Sequence, residues 1–211
     1  MPKKKLIRQN VYPYHVITRN NNRDWFNIPI YEVWDICKES LIYALEREKV
    51  EINCFVLMSN HYHLLLTTPH ENIDRFMMHF NWRISFMISN RINVINHKFS
   101  NRYKWSIVSK QSYLFNVYRY IYQNPIRAGI CDECKDYPYS SLHFSNFEAE
   151  LFNYRPHLNY SDSKHLIEKR FGSEFDNCIR NSLKRSYFKP KQKISVLYKK
   201  RLNDFKYGVS H

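Results

Sequence analysis

At 211 residues, with 44% hydrophobic and 17% aromatic content, the chain is long enough to bury a core and too apolar for a disordered one. Its 33 Lys and Arg against 19 Asp and Glu give a formal charge of +14, which points to a polyanionic partner. A membrane is the competing partner for that charge, but no apolar run approaches the roughly 18 residues of a span and no lipidation signal is seen, so a membrane is not expected. Seventeen tyrosines interleaved with Lys and Arg suit nucleic acid better, offering base stacking beside phosphate neutralisation. The opening MPKKKLIRQN has no apolar segment behind its charges, so it does not read as a secretory signal. Five scattered cysteines are no disulfide framework, and the expectation is a reduced, cytoplasmic protein. Cys131 and Cys134 form a lone CxxC, which without a second pair is a poor zinc signal.

In chain order, VYPYHVITR (11–19) alternates as a first strand, with Pro13 suited to a strand start or an edge. NNNRD follows as a loop. Residues 30–48 carry Val33, Ile36, Leu41, Ala44 and Leu45 at helical spacing with no internal Pro or Gly. Residues 50–68, VEINCFVLMSNHYHLLLTT, hold two apolar runs that read as buried strands joined at Ser59-Asn60. On the second strand His61, His63 and Leu65 share one face, and Tyr62, Leu64 and Leu66 the other. Residues 72–95 form the clearest helix, with Ile73, Phe76, Met77, Phe80, Ile84, Met87, Ile88, Ile92 and Ile95 along one face. Arg75, Arg83 and Arg91 fall on its polar side and read as a solvated basic face.

NRYKWSIVS (101–109) reads as a fourth strand, and 112–123 as a helix ended by Pro125. The order strand, helix, strand, strand, helix, strand, helix predicts an α+β fold, one antiparallel sheet of four strands with helices packed on it. After Asp136 the chain turns irregular and is expected to cover the core. From Ser163 onward 13 Lys/Arg face four Asp/Glu, and two short helices are expected at 163–171 and 173–185, split by Gly172. This basic tail reads as an appendage lying along a phosphate backbone, with a helix-turn-helix reader as the alternative. The expected division is 1–145 for the main domain and 146–211 for the appendage.

Two imidazoles side by side are two legs of a metal site, yet a bare His-x-His equally describes one exposed and one packed histidine. Further along, Tyr120 and Asn124 stand four apart, on one face if the helix runs that far. Tyrosine is a poor nucleophile at neutral pH, its phenol pKa being near 10. It serves in phosphoryl transfer when a metal polarises the phosphate and the geometry is fixed. His61, His63 and Asn124 would then supply three ligands and Tyr120 the nucleophile. Tyr118 and Tyr122 compete for that role, but Tyr122 lies about 200° around a helix from Tyr120, so both cannot enter one site.

MSNHYHLLL, NRYKWSIV, RYIYQNPIRAGI and DYPYSSL, in that order, resemble the single-tyrosine HUH transposases, and most nearly their REP-associated tyrosine transposase branch. The resemblance spans Tyr14 to Leu142; the tail is similar only around FGSEF. It implies a ferredoxin-like HUH nuclease core that cleaves single-stranded, hairpin-associated DNA through a 5′-phosphotyrosine intermediate. It puts His61 and His63 in the metal pair, Asn124 at the third ligand and Tyr120, the tyrosine before Ile in YIxxNP, as nucleophile. It implies a divalent cofactor, Mg or Mn, held weakly because asparagine brings no charge. Arg19, Arg102, Lys104 and Arg127 are the expected DNA contacts. Monomer and homodimer are both open. So are two other uses of the fold: a binding protein without cleavage, and a metal-dependent nuclease that uses water. The chain departs from the family at Asn20-Asn21-Asn22 and Ser100-Asn101, where glycines are usual, and neither position touches the chemistry.

Overall fold

The computed structural model describes residues 5–20, 25–93, 99 and 103–190. Four strands, β1 (Tyr14–Arg19), β2 (Glu51–Leu57), β3 (His61–Thr67) and β4 (Lys104–Ile107), form one antiparallel sheet in the order β2-β3-β1-β4. Helix α1 (Ile30–Leu45) joins β1 to β2, and α2 (Ile73–Ile92) joins β3 to β4. This is the β-α-β-β-α-β plan of a ferredoxin-like fold, and the α+β expectation holds. Pro13 stands just before β1, so the missing N–H of proline falls outside the ladder of a central strand.

The strand alternation sorts the core into two. One face of the sheet presents Tyr14, Val16, Ile52, Phe55, Leu57, Tyr62, Leu64 and Leu66 to α1 and α2. Val33, Leu41 and Ala44 from α1 meet them, as do Ile73, Phe76, Phe80 and Ile84 from α2, all buried. The helix expected over 72–95 stops at Ile92 because Asn93 takes the left-handed conformation (φ 52°), its N–H closing onto the Ser89 carbonyl. Within β2 the register shifts between Ile52 and Cys54. The extra residue, Asn53, turns Cys54 and Val56 to the second face of the sheet while Phe55 and Leu57 stay on the first.

The second face is covered by α3 (Gln111–Tyr122), with α6 (Tyr160–Ile167) and α7 (Ser173–Ser182) packed behind it. Leu65, Cys54 and Val56 meet Leu114, Val117, Tyr118 and Ile121 there, and Ile167, Phe175 and Ile179 close the layer. Pro125 ends α3 as expected, but the chain makes one more turn, α4 (Asn124–Arg127), since proline near a helix start loses no hydrogen bond. The stretch after Asp136 does wrap the core. A 3-10 turn at Cys134–Asp136 leads into it, and it includes a second at Ser141–His143 and the short helix α5 (Asn146–Leu151). Of the tail, α6 begins at Tyr160 rather than 163 because the Asn159 side chain accepts from the Ser161 N–H.

Both outer edges of the sheet are occupied by these later segments. Along β2, Leu57 N–H donates to the Tyr139 carbonyl (2.9 Å), Ile52 N–H to Asn153 (3.1 Å) and Arg155 N–H to Ile52 (2.7 Å). Along β4, Ile107 N–H donates to the Ser186 carbonyl and Phe188 N–H to Ile107, each at 2.8 Å. Open strand edges are thereby closed to another chain at these residues.

Candidate active site

His61 and His63 start β3, and both lie on the face that α3 covers. In the register, Arg19 of β1 pairs with His61, Ile17 with His63 and His15 with Leu65. Cross-strand partners share a face, so His15 joins the two histidines. Its ring stacks on His63, with centroids 5.2 Å apart, and its Nε2 lies 2.9 Å from His63 Nδ1 in a buried hydrogen bond. The His61 and His63 rings meet edge to face at 5.1 Å. His61 Nδ1 lies 2.7 Å from Asn60 Oδ1, and since a carbonyl oxygen only accepts, His61 donates there and keeps Nε2 as a lone-pair nitrogen. Asn60 is held in turn, its carbonyl accepting from the Asn20 N–H at the end of β1 (2.8 Å).

Burial holds all three imidazoles neutral at neutral pH. It pushes His15 down to about 3. His61 falls to about 4 through burial, with the nearby Arg19 charge adding to the effect. His63 falls well below its ordinary value through burial, then through the neighbouring His15 and His61 and the charges of Arg127 and Arg19. Neutral imidazole is the form that binds a metal ion.

Three tyrosines crowd α3, and the structure separates them. Tyr118 donates to the Asn53 carbonyl (3.2 Å) and accepts from the His157 N–H (3.0 Å). The Tyr122 hydroxyl meets Ser141 Oγ at 3.2 Å and the Tyr154 hydroxyl at 3.3 Å. Burial raises the pKa of both phenols far beyond the ordinary, so neither ionises readily. Tyr120 instead turns its ring edge onto His63 (5.8 Å between centroids, planes at 87°) and His15 (6.3 Å, 80°). Its phenol oxygen makes no hydrogen bond among the described residues.

Asn124 lies one turn on. Its amide nitrogen donates back to the carbonyls of Tyr120 (2.9 Å) and Ile121 (3.2 Å), leaving Oδ1 as the remaining acceptor. It is not hydrogen-bonded to either imidazole. Arg127 is closer to the chemistry than its place after the YIxxNP motif implied. Its guanidinium sits 4.5 Å from the centre of the Tyr120 ring, donates to the Tyr120 carbonyl, and lies 3.6 Å from Asp176 of α7. Arg19 and Lys104 are exposed at this end of the sheet, Lys104 level with His63 two strands away. Arg102 lies outside the described residues.

Among the described residues no three His, Cys, Asp or Glu side chains form a metal-binding group; His15 offers its Nε2 to His63 rather than to a shared ion. The residues that could hold a divalent ion are the two neutral imidazoles of His61 and His63, with the Asn124 amide oxygen as an uncharged third donor. Such a set suits an ion that also takes oxygen from a phosphate. Two residues at the site, His15 and Asp176, lie outside the motifs that mark the others, and Asn60, inside MSNHYHLLL, reads there only as part of the strand connection. No helix among the described residues is long and apolar enough to cross a membrane.

Comparisons with known proteins bear on the fold and the family. The structure is similar to that of a REP-associated tyrosine transposase bound to a REP hairpin, with TM-score 0.57 and 18% identity over 82% of this chain and 100% of the other. At that identity the likeness shows the fold. A putative transposase from Deinococcus radiodurans matches at TM-score 0.39 and 20% identity, over 57% of this chain and 95% of the other. No curated protein matches the chain. The family model for IS200-like transposases matches residues 8–124, more than half the sequence, from ahead of β1 to Asn124. The chain thus belongs to the IS200-like transposase family, enzymes that act on DNA.

Proposed function

We propose that this transposase cleaves and rejoins single-stranded DNA with Tyr120 as the nucleophile. The phenol oxygen attacks the phosphorus of a phosphodiester, the bond to the 3′ oxygen breaks, and that oxygen leaves with a proton as a free 3′-hydroxyl. The DNA stays attached through a 5′-phosphotyrosine. A 3′-hydroxyl attacking that phosphorus reverses the step and joins strands, so no external energy source is needed. The observation that carries the reading is the edge contact of Tyr120 on His63, which sets the hydroxyl-bearing ring of the helix against the imidazole pair of the strand.

His61, His63 and Asn124 would hold a divalent ion, Mg or Mn, which when bound polarises the phosphate and offsets its charge. Arg127, close behind the Tyr120 ring, supplies a fixed positive charge for the charge that builds on the phosphate oxygens. Arg19 and Lys104, with Arg102, would guide the flanking strand, since phosphate contacts position a nucleic acid without reading it. Hairpin-bearing DNA is the proposed substrate, by likeness to the REP-associated relative, and the +14 charge suits it.

The tyrosine acts within its own subunit. Gln123 donates to the carbonyls of Ile167 (2.6 Å) and Lys169 (3.2 Å), and Arg119 lies over the rings of Phe171 (4.0 Å) and Phe175 (4.7 Å). These contacts tie the end of α3 to the later helices and oppose its exchange with a second copy. The appendage proposed for 146–211 would then serve the site as well as the DNA.

Labelled hairpin oligonucleotides with Mn²⁺, resolved on a denaturing gel, test the reaction. A covalent protein–DNA band that Tyr120→Phe removes is expected. Cleavage with no such band would make water the nucleophile, and binding without cleavage would leave a DNA-binding protein on a transposase fold.

A further inference from the structure

We propose that His15 is a positioning residue that sets the tautomer and the tilt of His63. The inference rests on the proposed use of His63 as a metal ligand. A neutral imidazole has one protonated and one bare nitrogen, and only the bare one can face an ion. His63 Nδ1 lies 2.9 Å from His15 Nε2, both side chains nearly fully buried. One of these nitrogens must carry the proton and the other the lone pair. If His63 donates, its Nε2 is bare and ready to bind; if it accepts, its Nε2 is protonated and closed to a metal. An acceptor of fixed position at His15 therefore makes the binding form of His63 available in advance.

The surroundings hold His15 in that role. Its β1 neighbours Tyr14 and Val16 are buried in the opposite core, and β1 is flanked on both sides by paired strands, so its backbone has little freedom. The His15 ring stacks on His63 with planes 27° apart, and it touches the Tyr120 ring as well. One side chain thus braces both the strand ligand and the nucleophile's ring. His61 has its own counterpart in Asn60, whose Oδ1 fixes the His61 tautomer the same way. Each imidazole of the pair has a dedicated acceptor at Nδ1, an arrangement that orients metal-binding histidines and raises their basicity.

Two measurements decide the proposal. In metal-free protein labelled with ¹⁵N-histidine, His63 is expected to carry its proton on Nδ1; a proton on Nε2 overturns the assignment. Mn²⁺ titrations followed by electron paramagnetic resonance then compare variants. His15→Phe keeps an aromatic ring but cannot accept, and it should weaken Mn²⁺ binding about 10- to 100-fold. His15→Gln offers an amide oxygen at similar reach and should recover most of the loss. Mn²⁺ binding by His15→Phe equal to that of the parent overturns the proposal. Equal weakening in both variants overturns it too, because packing alone would then account for the effect. Should the parent bind no Mn²⁺, the metal reading of His61 and His63 falls, and the tautomer measurement still decides His15. Should His15→Phe not fold, the parent's tautomer and His15→Gln carry the test.

Discussion

Tyr120 and Tyr122, two positions apart in α3, face opposite surroundings: the Tyr120 ring meets the His63 ring edge to face with centroids 5.8 Å apart, while the Tyr122 hydroxyl lies 3.2 Å from Ser141 Oγ. A helix turns about 100° per residue, so adjacent-but-one side chains must diverge. One tyrosine is left at the histidines and the other is built into the contact between α3 and the segment that covers β2. Their substitutions should separate function from stability. Tyr122→Phe strips a buried hydroxyl from its partners and should cost about 1 kcal/mol in denaturant unfolding. Tyr120→Phe removes a hydroxyl that has no hydrogen-bond partner among the described residues and should leave the unfolding midpoint unchanged.

Arg127 is expected to matter for rate more than for affinity. Its guanidinium is fixed by the Tyr120 carbonyl and Asp176, and burial lowers its pKa while Asp176 acts to raise it. Arg127→Ala should slow cleavage at saturating DNA by about 10²-fold, the usual loss when a donor to a developing oxyanion is removed. Single-turnover rates at several DNA concentrations check this. A change confined to DNA affinity would reduce Arg127 to a simple phosphate contact.

Mixing inactive proteins tests whether the tyrosine serves its own subunit. Tyr120→Phe and His63→Ala each lack one half of the site. If α3 stays docked, the mixture remains inactive. Exchange of helices between two copies would restore up to half of the sites in a mixed dimer. Gln123→Ala, which removes the side-chain donor to the carbonyls of Ile167 and Lys169, should cost about 1 to 3 kcal/mol of stability.

Acid should destabilise the metal-free protein through the histidine cluster. His61 falls to about 4 and His15 to about 3 when folded, against an ordinary value near 6.5. The unfolded chain binds the extra protons first, so stability is full above about pH 6.5. It declines as pH falls toward the folded values. Urea midpoints between pH 7 and pH 4 measure the slope, and His15→Gln should flatten it.

Much of this was legible in the sequence. The two apolar runs around Ser59-Asn60 fixed the hairpin, and alternation placed His61 and His63 on the face away from Tyr62. What alternation could not supply was the neighbour across the ladder. His15 reads as one polar residue in VYPYHVITR, and its importance appears only when β1 pairs with β3, a contact 48 residues apart in the chain. Asp176 reaches Arg127 from still farther away, through helices whose placement depends on tertiary packing. Asn93 ended α2 three residues before the apolar pattern did, because backbone geometry overrode periodicity there.

The central claim is a phenol placed to attack phosphorus, and one measurement reaches it directly. Protein trapped on hairpin DNA with Mn²⁺ is digested with nuclease and protease, and the residue bearing the nucleotide is located by mass spectrometry. The account predicts the adduct on Tyr120 and none on Tyr118 or Tyr122. A nucleotide on any other residue, or cleaved DNA with no adduct, would contradict it.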